Sequence, residues 1–197
     1  MQEFLESIEN SGFSSYIRET PSVLGYSTVL ALHTFGMAFL VGLSAVIALR
    51  VLDVVPELPM KPLKKLMPMI VIGFWVNAIT GVILLTLAIR SFLANWDFYV
   101  KLSAIAVAIV ALTKMRKYAF DGPSAPDDAP ASREAKRWAK LMLSGWFIAV
   151  LGGRLTAYAT YIRIQSAAAV AIAAILLLLL ATFLVRRSHR TSVEAHS

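Results

Sequence analysis

One histidine, His33, lies in the apolar run ALHTFGMAFLVG, which holds no other ionisable residue before Arg50. The other two, His189 and His196, sit in a polar C-terminal stretch where a solvated imidazole costs nothing. Two further charges, Lys101 and Arg154, fall inside apolar runs, and so do the uncharged polar residues Asn77 and Thr80, with Tyr158 one helical turn beyond Arg154. Charged groups at membrane depth are rare and face a bundle interior or a cavity, where they meet a ligand or each other. The alternatives are structural. A neutral histidine can hydrogen-bond between helices for about 1 kcal/mol, and a lysine near a helix end can snorkel to the surface. Met37 lies on the same helix face as His33, four residues on, so it is excluded as a ligand across from it.

The class of protein follows from what surrounds these residues. Hydrophobic residues make up 58% of the 197, charged residues only 16%, and mean hydropathy is +0.69, which points to a bilayer protein. Cysteine is absent, which removes disulfides, thiolate metal sites and cysteine catalysis. Glu3, Glu6 and Glu9 stand where a signal peptide would carry basic residues, so no cleaved leader is expected.

Five stretches are long enough to cross a hydrocarbon core: 24–49, 66–89, 94–113, 141–161 and 167–185. Fourteen basic residues flank alternate sides of them: Arg50, Lys61, Lys64, Lys65, Lys114, Arg116, Lys117, Arg133, Lys136, Arg137, Lys140, Arg186, Arg187 and Arg190. Only Arg18, Arg90 and Arg163 remain for the other side, beside a candidate aromatic belt of Tyr16, Tyr26, Trp96, Tyr99 and Tyr161. The positive-inside rule then predicts the N-terminus outside and the C-terminus in the cytoplasm of a bacterial inner membrane, and it makes the net charge of +7 a topological signal; no nucleic-acid partner is expected. Before the first span, Phe4, Leu5, Ile8, Phe13 and Ile17 recur at helical spacing opposite the glutamates, predicting an amphipathic helix on the outer surface. Thr20-Pro21 reads as a helix cap followed by proline in the first turn. The segment DGPSAPDDAP is a loop by composition.

Spacing from the basic clusters brings the polar residues to one depth. His33 precedes Arg50 by seventeen residues, Lys101 precedes Lys114 by thirteen, Arg154 follows Lys140 by fourteen, and Asn77 and Thr80 lie twelve and fifteen beyond Lys65. At about 1.5 Å per residue all of them fall in the outer half of the membrane. His33, Met37, Leu40, Val41 and Ser44 share one stripe of the first span, with Gly36 beside it to admit a flat group or a neighbouring backbone. On the fourth span, Ser144, Phe147, Leu151, Arg154, Tyr158 and Tyr161 form a second stripe, expected to face inward. The fifth span has no ionisable residue and suits lipid or a partner helix.

The ordered segments ETPSVLGYSTVLALHTFGMAFLVG, GFWVNAITGVILL, FYVKLSAIAVAI and GWFIAVLGGRLTAYAT resemble an uncharacterised family of bacterial inner-membrane proteins defined as a domain of unknown function, from Glu19 to Tyr161. His33, Thr80-Gly81, Lys101-Leu102 and the run from Gly153 to Tyr158 carry the match. More distantly, a first-span histidine and an aromatic-x-Lys-Leu opening the third span are similar to the HemJ-type protoporphyrinogen oxidases and the CopD-type copper-resistance proteins. That resemblance implies a b-type haem at His33 and Lys101. The chain departs from it in having no second intramembrane histidine, so bis-histidine ligation within one protomer is ruled out.

On this reading His33 Nε2 ligates haem iron, the candidate metal site, with Lys101 and Arg154 at the propionates or Lys101 itself on iron, and with Tyr158, Trp75 and Phe35 as ring contacts. The same layer of His33, Lys101, Arg154, Asn77, Thr80 and Tyr158 can hold a quinone headgroup or an anionic solute. The expected fold is an all-α integral membrane protein with four antiparallel transmembrane helices in a bundle and a fifth, peripheral C-terminal helix. Its parts are an outer-surface amphipathic segment (1–19), the four-helix domain (20–161), the fifth helix (162–185) and a basic cytoplasmic tail (186–197). The leading function is a membrane subunit binding haem b or a quinone for electron transfer. The alternatives are a non-catalytic anchoring or assembly subunit, within a homo-oligomer or a larger membrane complex, and a small-solute or metal transporter. A transporter would be favoured by an internal repeat or broken helices, and the sequence has neither.

Overall fold

The computed structural model describes residues 1–20, 25–121 and 131–155 and the isolated position 172, with the side chains of Arg154 and Leu155 outside the description. All regular structure among these residues is helical. Three stretches, Tyr26–Val51, Met60–Thr86 and Trp96–Phe120, are long and apolar enough to cross a membrane. The chain therefore has the character of a membrane protein. The expected fifth span lies outside the described residues except for Ile172, and of the fourth only the part up to Leu155 is described.

The N-terminal segment forms two helices, α1 (Gln2–Glu9) and α2 (Gly12–Glu19), where one was expected. Ser11 separates them because its hydroxyl accepts from the Ser14 amide, an N-cap that starts a new helix. Thr20 ends α2, its backbone extended and its amide on the Tyr16 carbonyl. That corrects the reading of Thr20 as a starting cap: a residue before proline is pushed out of the helical region, so it closes the helix behind it. The first apolar stretch begins at Tyr26 behind Gly25. It runs as α3 (Tyr26–Met37), a π-helical turn (Ala38–Gly42) and α4 (Leu43–Val51). The Ser44 hydroxyl, fully buried, bonds the Leu40 and Val41 carbonyls at 2.7 and 3.1 Å and so satisfies acceptors within the π turn. A short α5 (Met60–Lys64) leads into α6 (Met67–Thr86), followed by α7 (Ile89–Ala94), α8 (Trp96–Phe120) and α9 (Arg133–Leu155).

Two antiparallel pairs organise these helices. Gly36 of α3 faces Gly73 and Asn77 of α6 so closely that a Cβ there would lie 2.7 Å from the Asn77 nitrogen, and further along Gly73 meets Leu40 in the same way. Gly145 of α9 meets Ala104 and Ala108 of α8, and Gly152 meets Lys101 and Asp97. Small residues at both crossings let the backbones approach where no hydrophobic effect drives helices together in lipid. The buried face of α9 is accordingly Ala135, Ala139, Met142, Gly145, Trp146, Ala149 and Gly152. This overturns the inward stripe expected from Ser144 and Phe147, both of which are exposed. Close packing on α8 selects the small residues and turns the bulkier row outward.

One apolar core joins the two pairs. It runs from the end that holds Val51, Met67, Met115 and Ala135 up to Leu40, Ala104, Trp146 and Ala149. The basic residues gather at that same end, where Asp53 takes both Arg50, at 3.6 Å, and Lys136, and Asp121 takes Lys64 at 3.2 Å. Arg50 is 5% exposed, and its Nε donates to the Leu58 carbonyl at 2.6 Å. At the opposite end α1 and α2 cover the bundle. Arg90 of α7 pairs with Glu9 at 3.0 Å and Glu6 at 3.6 Å, Arg18 reaches the Leu87 carbonyl, and Ile17 packs on Val29 and Leu87. Tyr16, Tyr26, Trp96 and Tyr99 are all exposed at this end. Phe4 and Phe13 are exposed there too, whereas Ile17 of the same apolar face is buried.

Candidate functional site

Above the shared core the inward-facing residues become polar or small. His33 projects from α3 onto α6, where Gly81 makes room for its ring: a Cβ at Gly81 would stand 3.1 Å from His33 Cε1. His33 Nδ1 lies 3.0 Å from the Asn77 carbonyl oxygen and 3.1 Å from Thr80 Oγ1. In return, the Asn77 side-chain amide donates to the His33 carbonyl at 2.8 Å. The Thr80 hydroxyl gives its one hydrogen to the Val76 carbonyl at 2.6 Å, so it can only accept from the ring. A carbonyl can only accept as well. The network therefore assigns the proton to Nδ1, which leaves Nε2 with a lone pair.

That lone pair has no hydrogen-bond partner among the described residues. The one side-chain polar atom among the described residues that is both buried and unpaired is Trp146 Nε1. The ring's other edge is held on α6, and Nε2 points away from Gly81.

On the opposite pair, Lys101 of α8 is half-buried and lays its stem over α9. A Cβ at Gly152 would meet Lys101 Cβ at 3.4 Å, and one at Gly153 would meet Nζ at 3.5 Å. The two glycines leave room for the lysine stem to lie along α9. Like His33 Nε2, Lys101 Nζ makes no hydrogen bond or ion pair with a described residue.

Asp97, one turn before Lys101, is 2% exposed and its carbonyl faces Gly152. The sequence reading did not select it, because an acidic residue in the first turn of a helix is what the helix dipole favours and gives no sign of burial. The signal that could have found it is its i, i+4 spacing to Lys101, which puts the two on one face.

The structure thus brings His33, Asn77 and Thr80 into direct contact and sets Lys101 on the other helix pair, against Gly152 and Gly153. Arg154 lies in the last described turn of α9, but its side chain, and all of Tyr158, lie outside the described residues. Gly36 resolves in favour of a neighbouring backbone: α6 fills the space beside it, so no flat group enters there. Phe35 and Trp75, expected as ring contacts, are 64% and 58% exposed. The hydrogen bonds that turn His33 onto α6 rotate residue 35 to the outward side of α3, and Asn77 does the same to residue 75 on α6. Among the described residues no group of three or more metal-ligating side chains occurs. No family model, curated protein or solved structure matches the chain.

Proposed function

We propose that the chain is an inner-membrane electron-transfer subunit that holds a redox group, a b-type haem or a quinone, at His33. The observation that carries this reading is the imidazole itself: Nδ1–H is fixed on a backbone carbonyl and a hydroxyl, and an Nε2 lone pair with no partner among the described residues is left over. Anchoring the distal nitrogen in this way fixes the tautomer and ring direction of a metal-ligating histidine, and it raises its basicity. The donor set therefore fits haem iron through one histidine. His33 would hold the iron, and Lys101 would supply either a second ligand or a charge for a propionate. When bound, haem would supply a one-electron carrier. Asn77 and Thr80 act through His33, orienting its ring, and the glycines at 81, 152 and 153 keep the facing backbones clear of the two functional side chains.

The gathering of basic residues at one end and of exposed Tyr16, Tyr26, Trp96 and Tyr99 at the other supports an orientation with the polar layer in the outer half, the N-terminus periplasmic and the C-terminus cytoplasmic. In this reading α9 is the fourth span of an antiparallel bundle, and the apolar 167–185 segment is a fifth, peripheral one. The resemblance to HemJ-type and CopD-type proteins supports the haem form at His33 and Lys101.

One observation favours a second reading, an anchoring or assembly subunit. Ile72, Trp75, Ile79 and Val82 of α6 are all exposed and give one outward apolar row that suits lipid or a partner helix equally. The absorption spectrum of the dithionite-reduced protein and the quinone content of its solvent extract separate the two. The electron-transfer reading requires a haem α-band or bound quinone, and the anchoring reading requires neither.

A further inference from the structure

At the basic end of the bundle most of the described carboxylates are already taken. Asp53 holds Arg50 and Lys136, Asp121 holds Lys64 at 3.2 Å and Arg116 at 3.9 Å, and Glu134 holds Arg137 at 2.7 Å. Lys65, Lys114, Lys117, Arg133 and Lys140 are exposed there and make no ion pair or hydrogen bond with a described residue, against one remaining exposed carboxylate, Glu57. The opposite end has no such surplus among the described residues: Arg90 is bound to Glu6 and Glu9, and Arg18 to Glu19 and the Leu87 carbonyl. We propose that Lys114 and Lys117 of α8 form a headgroup site for an anionic phospholipid, in the leaflet at the basic end.

The residues that share a face with these two lysines single them out from the other free cations. Val100, Ser103, Val107, Val110, Lys114 and Lys117 recur at intervals of three and four and are all exposed, so they make one outward face of α8. Ala104 and Ala108 point the other way, onto Gly145 of α9. Tyr99, exposed in the first turn, and Lys117 are eighteen residues apart. That is about 27 Å of helix, close to the ~30 Å of a hydrocarbon core. The face therefore carries two ammoniums at headgroup depth and an apolar strip at acyl-chain depth. A phospholipid has the same outline.

The charge pattern selects among lipids. Lys114 and Lys117 are one turn apart, about 5–6 Å between Cβ atoms, and like charges at that spacing repel. A phosphodiester set between them relieves the repulsion and accepts from both. A choline lipid brings its own cation beside the phosphate and loses part of that gain, whereas phosphatidylglycerol brings none. Free phosphate matches the lysines but leaves the valine strip unused, so the face is matched to the lipid. This site is separate from His33 and stands or falls independently of the redox-group reading.

The test is native mass spectrometry of the full chain in detergent, with phosphatidylglycerol and phosphatidylcholine of the same acyl chains supplied in equal amounts. The wild type should retain phosphatidylglycerol in preference by about five-fold or more, the scale of one basic residue at an anionic leaflet. Lys114→Gln/Lys117→Gln should bring the ratio close to one. Arg133→Gln/Lys140→Gln removes the same charge from α9 and should leave the ratio unchanged. Circular dichroism checks that each variant folds, and should the lysine pair fail, Lys117→Gln alone should still lower the ratio. Inorganic phosphate in large excess should leave the bound phosphatidylglycerol in place. Its displacement by phosphate would make this a soluble-anion site and overturn the lipid assignment. Equal retention of the two lipids by the wild type would give the face to bulk lipid or to an acidic partner chain. Equal loss of preference in the two double variants would replace the site by diffuse charge, and either result would overturn the proposal.

Discussion

His33 and Asn77 exchange hydrogen bonds across two helices: the ring of His33 donates to the Asn77 carbonyl at 3.0 Å, and the Asn77 amide donates to the His33 carbonyl at 2.8 Å. The acceptor for the ring is backbone, which no side-chain substitution removes. Asn77→Leu therefore deletes one interhelical bond and Thr80→Val deletes a second acceptor, yet each leaves Nδ1–H anchored. Each is expected to cost about 1 kcal/mol of stability, the usual scale for such bonds in a bilayer. Both should retain any group bound at His33. Unfolding titrations beside measured ligand occupancy would check this, and loss of occupancy in both variants would place Asn77 and Thr80 in contact with the ligand.

The two glycines of the first apolar stretch should respond in opposite ways. A Cβ at Gly36 would stand 2.7 Å from a backbone nitrogen that has no room to retreat, while nothing lies within 4 Å of one at Gly42. Gly36→Ala is expected to destabilise by about 1–3 kcal/mol, the range for overpacking a tight contact. Gly42→Ala should be neutral or stabilising by up to ~1 kcal/mol through better helix propensity. Thermal unfolding in one detergent would rank them, and equal effects would contradict the close crossing of α3 and α6.

The attachment of α1 should weaken in acid. The Arg90 guanidinium holds the Glu9 carboxyl below the ordinary carboxylate range, mainly through their hydrogen bond. A carboxyl whose pKa is depressed in the folded state contributes stability above its unfolded pKa and loses it as pH falls through the folded value. Hydrogen exchange over α1, corrected for intrinsic rates, is thus expected to rise below the normal glutamate range. In Glu9→Gln the exchange should be faster at neutral pH and respond less to acid. A profile in the wild type that matches Glu9→Gln would show that the pair does not hold α1.

Orientation is open to reporter fusions. Fusions after Ser197 and within the 121–131 loop should both report a cytoplasmic location, because Lys64, Arg116, Lys136 and their neighbours gather at the end to which that loop connects. A periplasmic signal from either would reverse the assignment and move the polar layer to the inner half.

Much of this was legible in the sequence for a physical reason. Long apolar stretches, basic clusters and the isolation of His33 are first-order costs in a bilayer, and they leave marks on composition. The stripe of His33, Leu40 and Ser44 was readable because the bulky and polar residues on it do face the interior. The stripe of Ser144 and Phe147 misled because it assumed that the large residues of α9 pack inward; against α8 it is Gly145, Ala149 and Gly152 that do. Gly36 was readable as admitting either a flat group or a neighbouring backbone and proved to meet a backbone, since a glycine beside a histidine says that something comes close without saying what. Phe35 and Trp75 turned outward for the same reason: facing depends on which helix His33 bonds to, and pairing between helices is not written in the periodicity of one. Asp97 was legible as a charge at the start of the third span, but not its burial, which depends on tertiary packing that periodicity within one helix does not carry.

The central claim is that His33 Nε2 holds a redox group. The most direct measurement is redox-group occupancy, haem from the reduced spectrum and quinone from the solvent extract, in the protein purified from haem-replete cells, taken for wild type and His33→Phe side by side. The account expects near-stoichiometric haem or quinone in the wild type and its loss in His33→Phe, with the variant still folded by circular dichroism. Equal occupancy in the two proteins, or neither group in the wild type, would contradict it.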